Sequence, residues 1–276
     1  TFDIIQEISE FTLGEKLFLD NIKKFKGDFV AQNIKLTEEA IFDGMEPIDN
    51  YGHFQKPYVL KIINGVKVAV IGQAFPYTPI ANPRRFVPNL TFGIRDTELQ
   101  TLIGKIKEKD KPSLIILLSH NGVDVDKKIA SKVSGIDIIL GGHTHDVLPK
   151  PIIISNNSSK TIILNSGCNG KFISVLDLQV KKSSFEYKYK LLPIMSSQIK
   201  PSNVMNKFIN KTKKPHLKHL NKILGKSNID LYRRGNFNGT FDKLLCDSMI
   251  NILDSEICFS PGFRWGSTVL AGENIL

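Results

Sequence analysis

Cysteine is scarce in this chain: Cys168, Cys246 and Cys258 are the three it has in 276 residues. Their number is odd and no pair has CxxC spacing, which argues against a disulfide framework and against a cysteine-built zinc site. Cys246 and Cys258 stand in apolar contexts that predict buried, inert thiols. Cys168 follows Asn165-Ser166-Gly167 on an expected loop. No apolar run approaches the ~20 residues that cross a bilayer, so no membrane partner is expected. The amino terminus lacks the basic-then-apolar pattern of a secretory signal. Aromatic residues do not interleave with the lysines, so no nucleic-acid module is expected despite a net charge of +10. That excess suits an anionic substrate or an acidic partner, and equally a compositional bias in a chain also rich in Asn and Ile. The chain opens on Thr1 and stops at Leu276 just after an apparent strand start, so both ends read as cut.

What is present is a core-forming composition, 41% hydrophobic, enough for one large domain or two ordinary ones. Its organising stretch runs from Leu114 to Asp146. Two apolar runs, Leu114 to Leu118 and Ile136 to Leu140, read as buried strands, and each is followed by histidine: Ser119-His120-Asn121-Gly122 after the first, Gly141-Gly142-His143-Thr144-His145-Asp146 after the second. Between them Val125, Ile129, Ala130 and Val133 have helical spacing. A strand-helix-strand unit makes the two runs parallel neighbours. Residues just past the carboxyl ends of parallel strands share the edge where α/β proteins hold ligands, so His120 is expected near His143 and His145. Three converging neutral imidazoles suit a transition metal. Gly141-Gly142 permits a sharp turn, and the alternation His143-Thr144-His145 is expected to put both rings on one side of an extended segment. A lone His-x-His is also met as two half-exposed loop histidines; the glycine pair, the preceding strand and the third histidine favour a site. His53, His216 and His219 read as isolated positions.

Elsewhere the pattern predicts an amphipathic helix over Phe11 to Phe25, with Leu17, Phe18, Ile22 and Phe25 buried. A turn is expected at Gly27-Asp28, a short strand over Phe29 to Ile34, and irregular chain over Lys35 to Lys56. Pro57 to Ala74 reads as a hairpin turning at Asn64-Gly65. Four prolines make Phe75 to Leu90 a fixed loop without regular structure. A surface helix follows over Glu98 to Lys109. Thr161 to Leu164, Ile173 to Val180 and Phe185 to Leu192 read as strands, the first two closing a second sheet and joined by a loop near the histidine edge. Lysine-rich Pro201 to Leu224 reads as a helix with a solvated charged face. Thr240 to Ile252 reads as a helix capped by Thr240 or Asn238, its exposed N–H groups beside Arg233 and Arg234 suited to an oxyanion. Glu256 to Phe259 reads as a strand leading into Ser260-Pro261-Gly262-Phe263-Arg264-Trp265-Gly266.

The segments SHNG and GGHTHD resemble those of the calcineurin-like metallophosphoesterases and, within them, the 5'-nucleotidase branch. AFPYTPIANPRRFVPNLTFGIR (residues 74–95), RRGNFNGTFDKLLCDSM (233–249) and SPGFRWGSTVLAGENI (260–275) narrow the resemblance to the SoxB thiosulfohydrolase family. Four separated segments agree in order, from about Phe11 onward. The resemblance implies an α/β (α+β) fold: a partial metallophosphoesterase β-sandwich flanked by helices over 1–195, a linker helix over 196–224, and over 225–276 the start of a 5'-nucleotidase-type substrate-recognition domain.

It further implies a dimanganese hydrolase that releases sulfate from a cysteine S-thiosulfonate on the carrier protein SoxYZ, in the periplasm. His120, His143 and His145 would be metal ligands, while Arg264, Asn121, Asn236 and Arg233 would be substrate contacts. The family draws further ligands from an Asp-x-His and a Gly-Asp that would precede Thr1, and from an Asn/His-bearing loop whose place is taken by Gln6-Glu7-Ile8-Ser9. With that set incomplete, these 276 residues alone are expected to be inactive. Two other readings stay open: a nucleotide-directed phosphohydrolase on the same scaffold, and a carrier-binding module without metal. Imidazoles accept several divalent ions, so the residues alone leave the metal open.

Overall fold

In the computed structural model of the protein, residues 11, 14–156, 159–181, 184–233, 239–260 and 268–276 are described. The chain divides into two units, residues 1–199 and 200–276.

The first unit begins with α1 (Glu15–Lys24), then β1 (Lys35–Leu36), α2 (Glu38–Phe42), β2 (Tyr58–Ile63), β3 (Val66–Gln73), α3 (Thr78–Ala81), β4 (Leu90–Thr91) and α4 (Asp96–Lys109). It continues with β5 (Leu114–Ser119), α5 (Val123–Lys132), β6 (Ile138–Gly141), β7 (Ile152–Ser155), β8 (Lys160–Asn165), β9 (Phe172–Val180) and β10 (Phe185–Pro193). Six strands form one sheet in the order β2-β3-β5-β6-β8-β7. Its four inner strands are parallel, and β2 and β7 run antiparallel at its edges. The expected strand-helix-strand unit is β5-α5-β6, with Ile116 opposite Ile138.

Period-two alternation explains how the inner strands are buried on both faces. Ala69, Ile71, Ile115, Leu117, Ile139 and Ile163 face Leu99, Ile103 and Ile106 of α4, and Ile129 and Ala130 of α5. The intervening Val68, Val70, Leu114, Ile116 and Ile138 meet Leu176, Leu178 and Val180 of β9 and Phe185 of β10. The β9–β10 hairpin is thus a second layer laid on the sheet. A third cluster gathers Phe11, Phe18, Phe29, Ile34 and Leu90, with the Phe11 and Phe18 rings 4.4 Å apart.

The Asn64-Gly65 turn joins β2 to β3 as expected. Both residues have positive φ, 48° and 79°, the conformation that a two-residue hairpin turn requires. Other expectations are corrected. The first helix begins at Glu15; Phe18 is buried but Leu17 is exposed. Residues 29–34 form no strand: Asn33 turns the chain and bonds Ala74 through its side chain, Nδ2 to O at 2.8 Å and Oδ1 from N at 2.7 Å, a substitute for ladder bonds. The stretch expected to be irregular holds α2, capped by Thr37, whose hydroxyl accepts from Ala40 N at 3.1 Å. The proline-rich loop contains α3, because Pro79 falls in a first helical turn, where its missing N–H costs nothing. Residues 160–165 belong to the main sheet, parallel to β6, since their isoleucines are buried on both faces.

The second unit contains α6 (Asn203–Lys213), α7 (Leu217–Leu220), β11 (Gly225–Lys226), α8 (Thr240–Leu253) and β12 (Asn274–Ile275), with β11 and β12 paired antiparallel. Thr240, one of the two expected caps, does not serve α8. Gly239 is its N-cap residue, and the Thr240 hydroxyl donates to Asp230 O at 2.7 Å instead; Asn238 lies outside the described residues. Residues 256–259 join no ladder among the described residues, and Phe259 is 89% exposed. Cys246 and Cys258 are half-buried rather than buried. No described helix is long and apolar enough to cross a membrane.

The two-faced sheet carries a stability prediction. Leu117, 0% exposed in the centre of β5, should cost about 3 kcal/mol when replaced by alanine. Ile62, 75% exposed on β2, should cost under about 0.5 kcal/mol. Urea denaturation of L117A and I62A measures both.

Candidate active site

The parallel register brings the functional segments to one level. Gln73 pairs with Ser119, Ser119 with Gly141, and Gly141 with Asn165, so β3, β5, β6 and β8 end together. His120 is the next residue after β5, and its N–H donates to Gln73 O at 2.9 Å, which extends the ladder one residue past the sheet. His143 and His145 follow β6. The His120 and His143 ring centroids are 5.2 Å apart at 69°, and all three histidines line one hollow of about 640 Å³. The loop after β8 forms another part of its wall through Ser166, Gly167, Cys168, Asn169 and Gly170.

His143-Thr144-His145 is not the extended segment the alternation suggested. Both histidines have positive φ, 73° and 59°, and Thr144 N donates to Gly142 O at 3.0 Å. A tight turn thus delivers both rings to the hollow. Two glycines make it feasible. A Cβ on Gly142 would stand 3.3 Å from His120 Nδ1, and one on Gly122 would meet Thr144 Cγ2 at 2.7 Å. The Thr144 hydroxyl accepts from Val123 N at 3.3 Å, tying the turn to the start of α5. Phe75, from the proline-rich loop, stacks on His143 with centroids 3.9 Å apart. Burial, and then the charge of His145, hold the His143 pKa below its ordinary value, which keeps the ring a neutral donor.

Asp126 is a site residue that the sequence reading misses. It is fully buried, and its Oδ1 accepts from Ser119 Oγ at 2.5 Å and from Asn121 Nδ2 at 3.5 Å. It thereby grips the residues on either side of His120. Gly141 leaves room for its other oxygen: a Cβ there would lie 2.7 Å from Asp126 Oδ2. A legible signal existed, because Val123, Asp126, Ile129 and Ala130 form the buried stripe of α5 and an acid stands where an apolar residue belongs. Val125, assigned to that stripe from spacing, is only partly buried.

The remaining candidates separate from the hollow or fall outside what is described. Asn121 is buried against Asp126 and does not line the hollow. Arg233 donates from Nε and Nη2 to Asp242 Oδ1, at 3.1 and 2.9 Å. That guanidinium bond holds the Asp242 carboxyl below its usual range. Arg234, Asn236, Arg264 and residues 6–9 lie outside the described residues.

As a metal site the described donors fit in kind and fall short in number. Three imidazoles on one hollow suit a divalent transition ion, yet no three His, Cys, Asp or Glu side chains converge to ligand spacing among the described residues. Asp146, the nearest acid in sequence, is exposed and does not line the hollow.

No protein-family model matches the chain. The solved structure of the sulfate thiohydrolase SoxB of Thermus thermophilus is similar with a TM-score of 0.82 and 29% identity, over 99% of this chain and 47% of that one. A 5'-nucleotidase precursor, also from Thermus thermophilus, gives a TM-score of 0.81 at 20% identity, over 98% and 55% of the two chains. Among curated proteins, the 5'-nucleotidase of Diplobatis ommata is 25% identical over 234 residues, 75% of this chain and 38% of that protein. The chain spans less than half the length of the curated relatives it matches. Its fold is the mixed α/β fold of the calcineurin-like phosphoesterases and 5'-nucleotidases.

Asp126 makes the stability of the site pH-dependent. Burial outweighs its two hydrogen bonds and pushes its pKa up from 3.8 to about 6. A carboxyl that holds its proton more tightly when folded destabilises the fold once it ionises. Stability should therefore fall as pH rises from about 4 to about 6, by about 3 kcal/mol, and level off above. Asp126→Asn should lack that slope in denaturant titrations across the window.

Proposed function

We propose that this chain carries the histidine side of a metal-dependent hydrolase centre of the 5'-nucleotidase and metallophosphoesterase type. The observation that carries the reading is the placement of His120, His143 and His145 around one hollow at the carboxyl edge of four parallel strands. These imidazoles would hold the ion. When bound, it supplies Lewis acidity toward the charge that develops on a tetrahedral oxyanion and activates water for attack. The chain's own part is positional. Phe75 covers one face of His143, Asp126 fixes the turn at His120, and the loop after β8 bounds the space for substrate.

Within that type the reading is of the SoxB kind: release of sulfate from a cysteine S-thiosulfonate on the carrier SoxYZ, with manganese, in the periplasm. It is supported by the four matching segments and by similarity to the Thermus thermophilus SoxB along 99% of the chain at 29% identity. A phosphohydrolase acting on nucleotides is the second reading, favoured by the curated 5'-nucleotidases among the relatives.

Two measurements separate these. Calorimetric titration of the 276-residue chain with Mn²⁺ should show weak binding of one ion and no turnover, because its described hollow offers three imidazoles and no carboxylate. His143→Ala should weaken that binding by about tenfold or more. Absence of any binding removes the metal and leaves a carrier-binding module. In a polypeptide that joins this chain to carboxylate ligands, manganese should elicit sulfate release from a carrier S-thiosulfonate and no phosphate from AMP. Phosphate release alone selects the nucleotide reading.

A further inference from the structure

The second unit presents a surface that the hydrolase reading does not use. From Lys200 to Lys226 the chain carries eight lysines and no acidic residue; the next acid is Asp230. The same stretch holds Val204, Met205, Phe208, Ile209, Leu217, Leu220, Ile223 and Leu224, every one of them exposed, Val204 by 79% and Phe208 by 64%. No residue of α6 is buried. Isolated exposed apolar side chains are ordinary, but a contiguous row of this kind marks a contact surface.

The arrangement on α6 says what the contact is. At 100° per residue, Val204, Met205, Phe208 and Ile209 occupy one arc, with Lys207 and Lys211 along one margin and Lys213 along the other. Asn203, Asn206 and Asn210 fill the far side. Lysines that border an apolar arc can lay their methylene stems along it and present their ammonium groups in the plane of its edge. A second copy of the chain would set one lysine row against another. An anionic lipid surface meets both features at once, taking the apolar arc into the acyl boundary and the lysines at its headgroups. The helix has the length to lie on a membrane and not to cross one.

We propose that α6 and α7 form an interfacial anchor for a membrane rich in anionic phospholipid, contrary to the solvated face that the lysine content alone suggested. The test is co-sedimentation of the 276-residue chain with vesicles of phosphatidylcholine alone and of phosphatidylcholine mixed with phosphatidylglycerol. Partition onto the mixed vesicles should exceed that onto neutral ones by about tenfold or more and fall in high salt. Phe208→Asp keeps every lysine, and Lys207→Glu with Lys211→Glu keeps every apolar residue. Each should lose most of the binding while circular dichroism and melting stay unchanged, since α6 buries nothing. Equal binding to both vesicle types, no binding to either, or undiminished binding by F208D overturns the proposal. So does concentration-dependent dimerisation that F208D abolishes, which assigns the face to a second copy.

Discussion

The structure depends on strand register. Because β3, β5, β6 and β8 run parallel and end at one level, residues far apart in sequence are delivered to one rim. A single-residue slip of β6 against β5 would exchange the faces of the whole strand. Such a slip would carry Ile139 away from the helices and move the Gly142 turn off His120. The apolar alternation that buries both faces of the sheet therefore also aims the histidines. Stability and site geometry rest on the same side chains, which ties any loss of core packing to loss of the site.

Around that rim the protein accepts local cost. His143 and His145 both take positive φ, a conformation that L side chains resist, and Asp126 is an acid buried where carbon would pack better. The compensations are visible: Gly122 and Gly142 open space for the turn, Thr144 ties it to α5, and Ser119 and Asn121 supply hydrogen bonds to Asp126. Departures from local preference in the residues that line a hollow are what a functional site looks like in physical terms.

The sheet's centre was legible because two short apolar runs, the second broken only by Asp137, with a helical period between them, admit one arrangement. The Asn64-Gly65 hairpin was legible from turn chemistry alone. Legibility failed where tertiary context overrode the local pattern. Residues 29–34 look like a strand, yet Asn33 spends its side chain on Ala74. Residues 160–165 look like part of a second sheet, yet only the neighbouring β6 decides where an isoleucine run pairs. The meeting of His120 with His143 followed from topology, whereas the turn that aims His143 and His145 did not, because alternation suggested an extended chain. Asp126 escaped notice because its importance lies in whom it touches.

The central claim is that three of the six histidines share one hollow. Nuclear magnetic resonance of the imidazoles during Mn²⁺ addition tests it most directly, since the paramagnetic ion broadens only nearby signals. The account predicts that His120, His143 and His145 broaden together while His53 stays sharp. Broadening that spares His120, or that spreads evenly over all six rings, would contradict it.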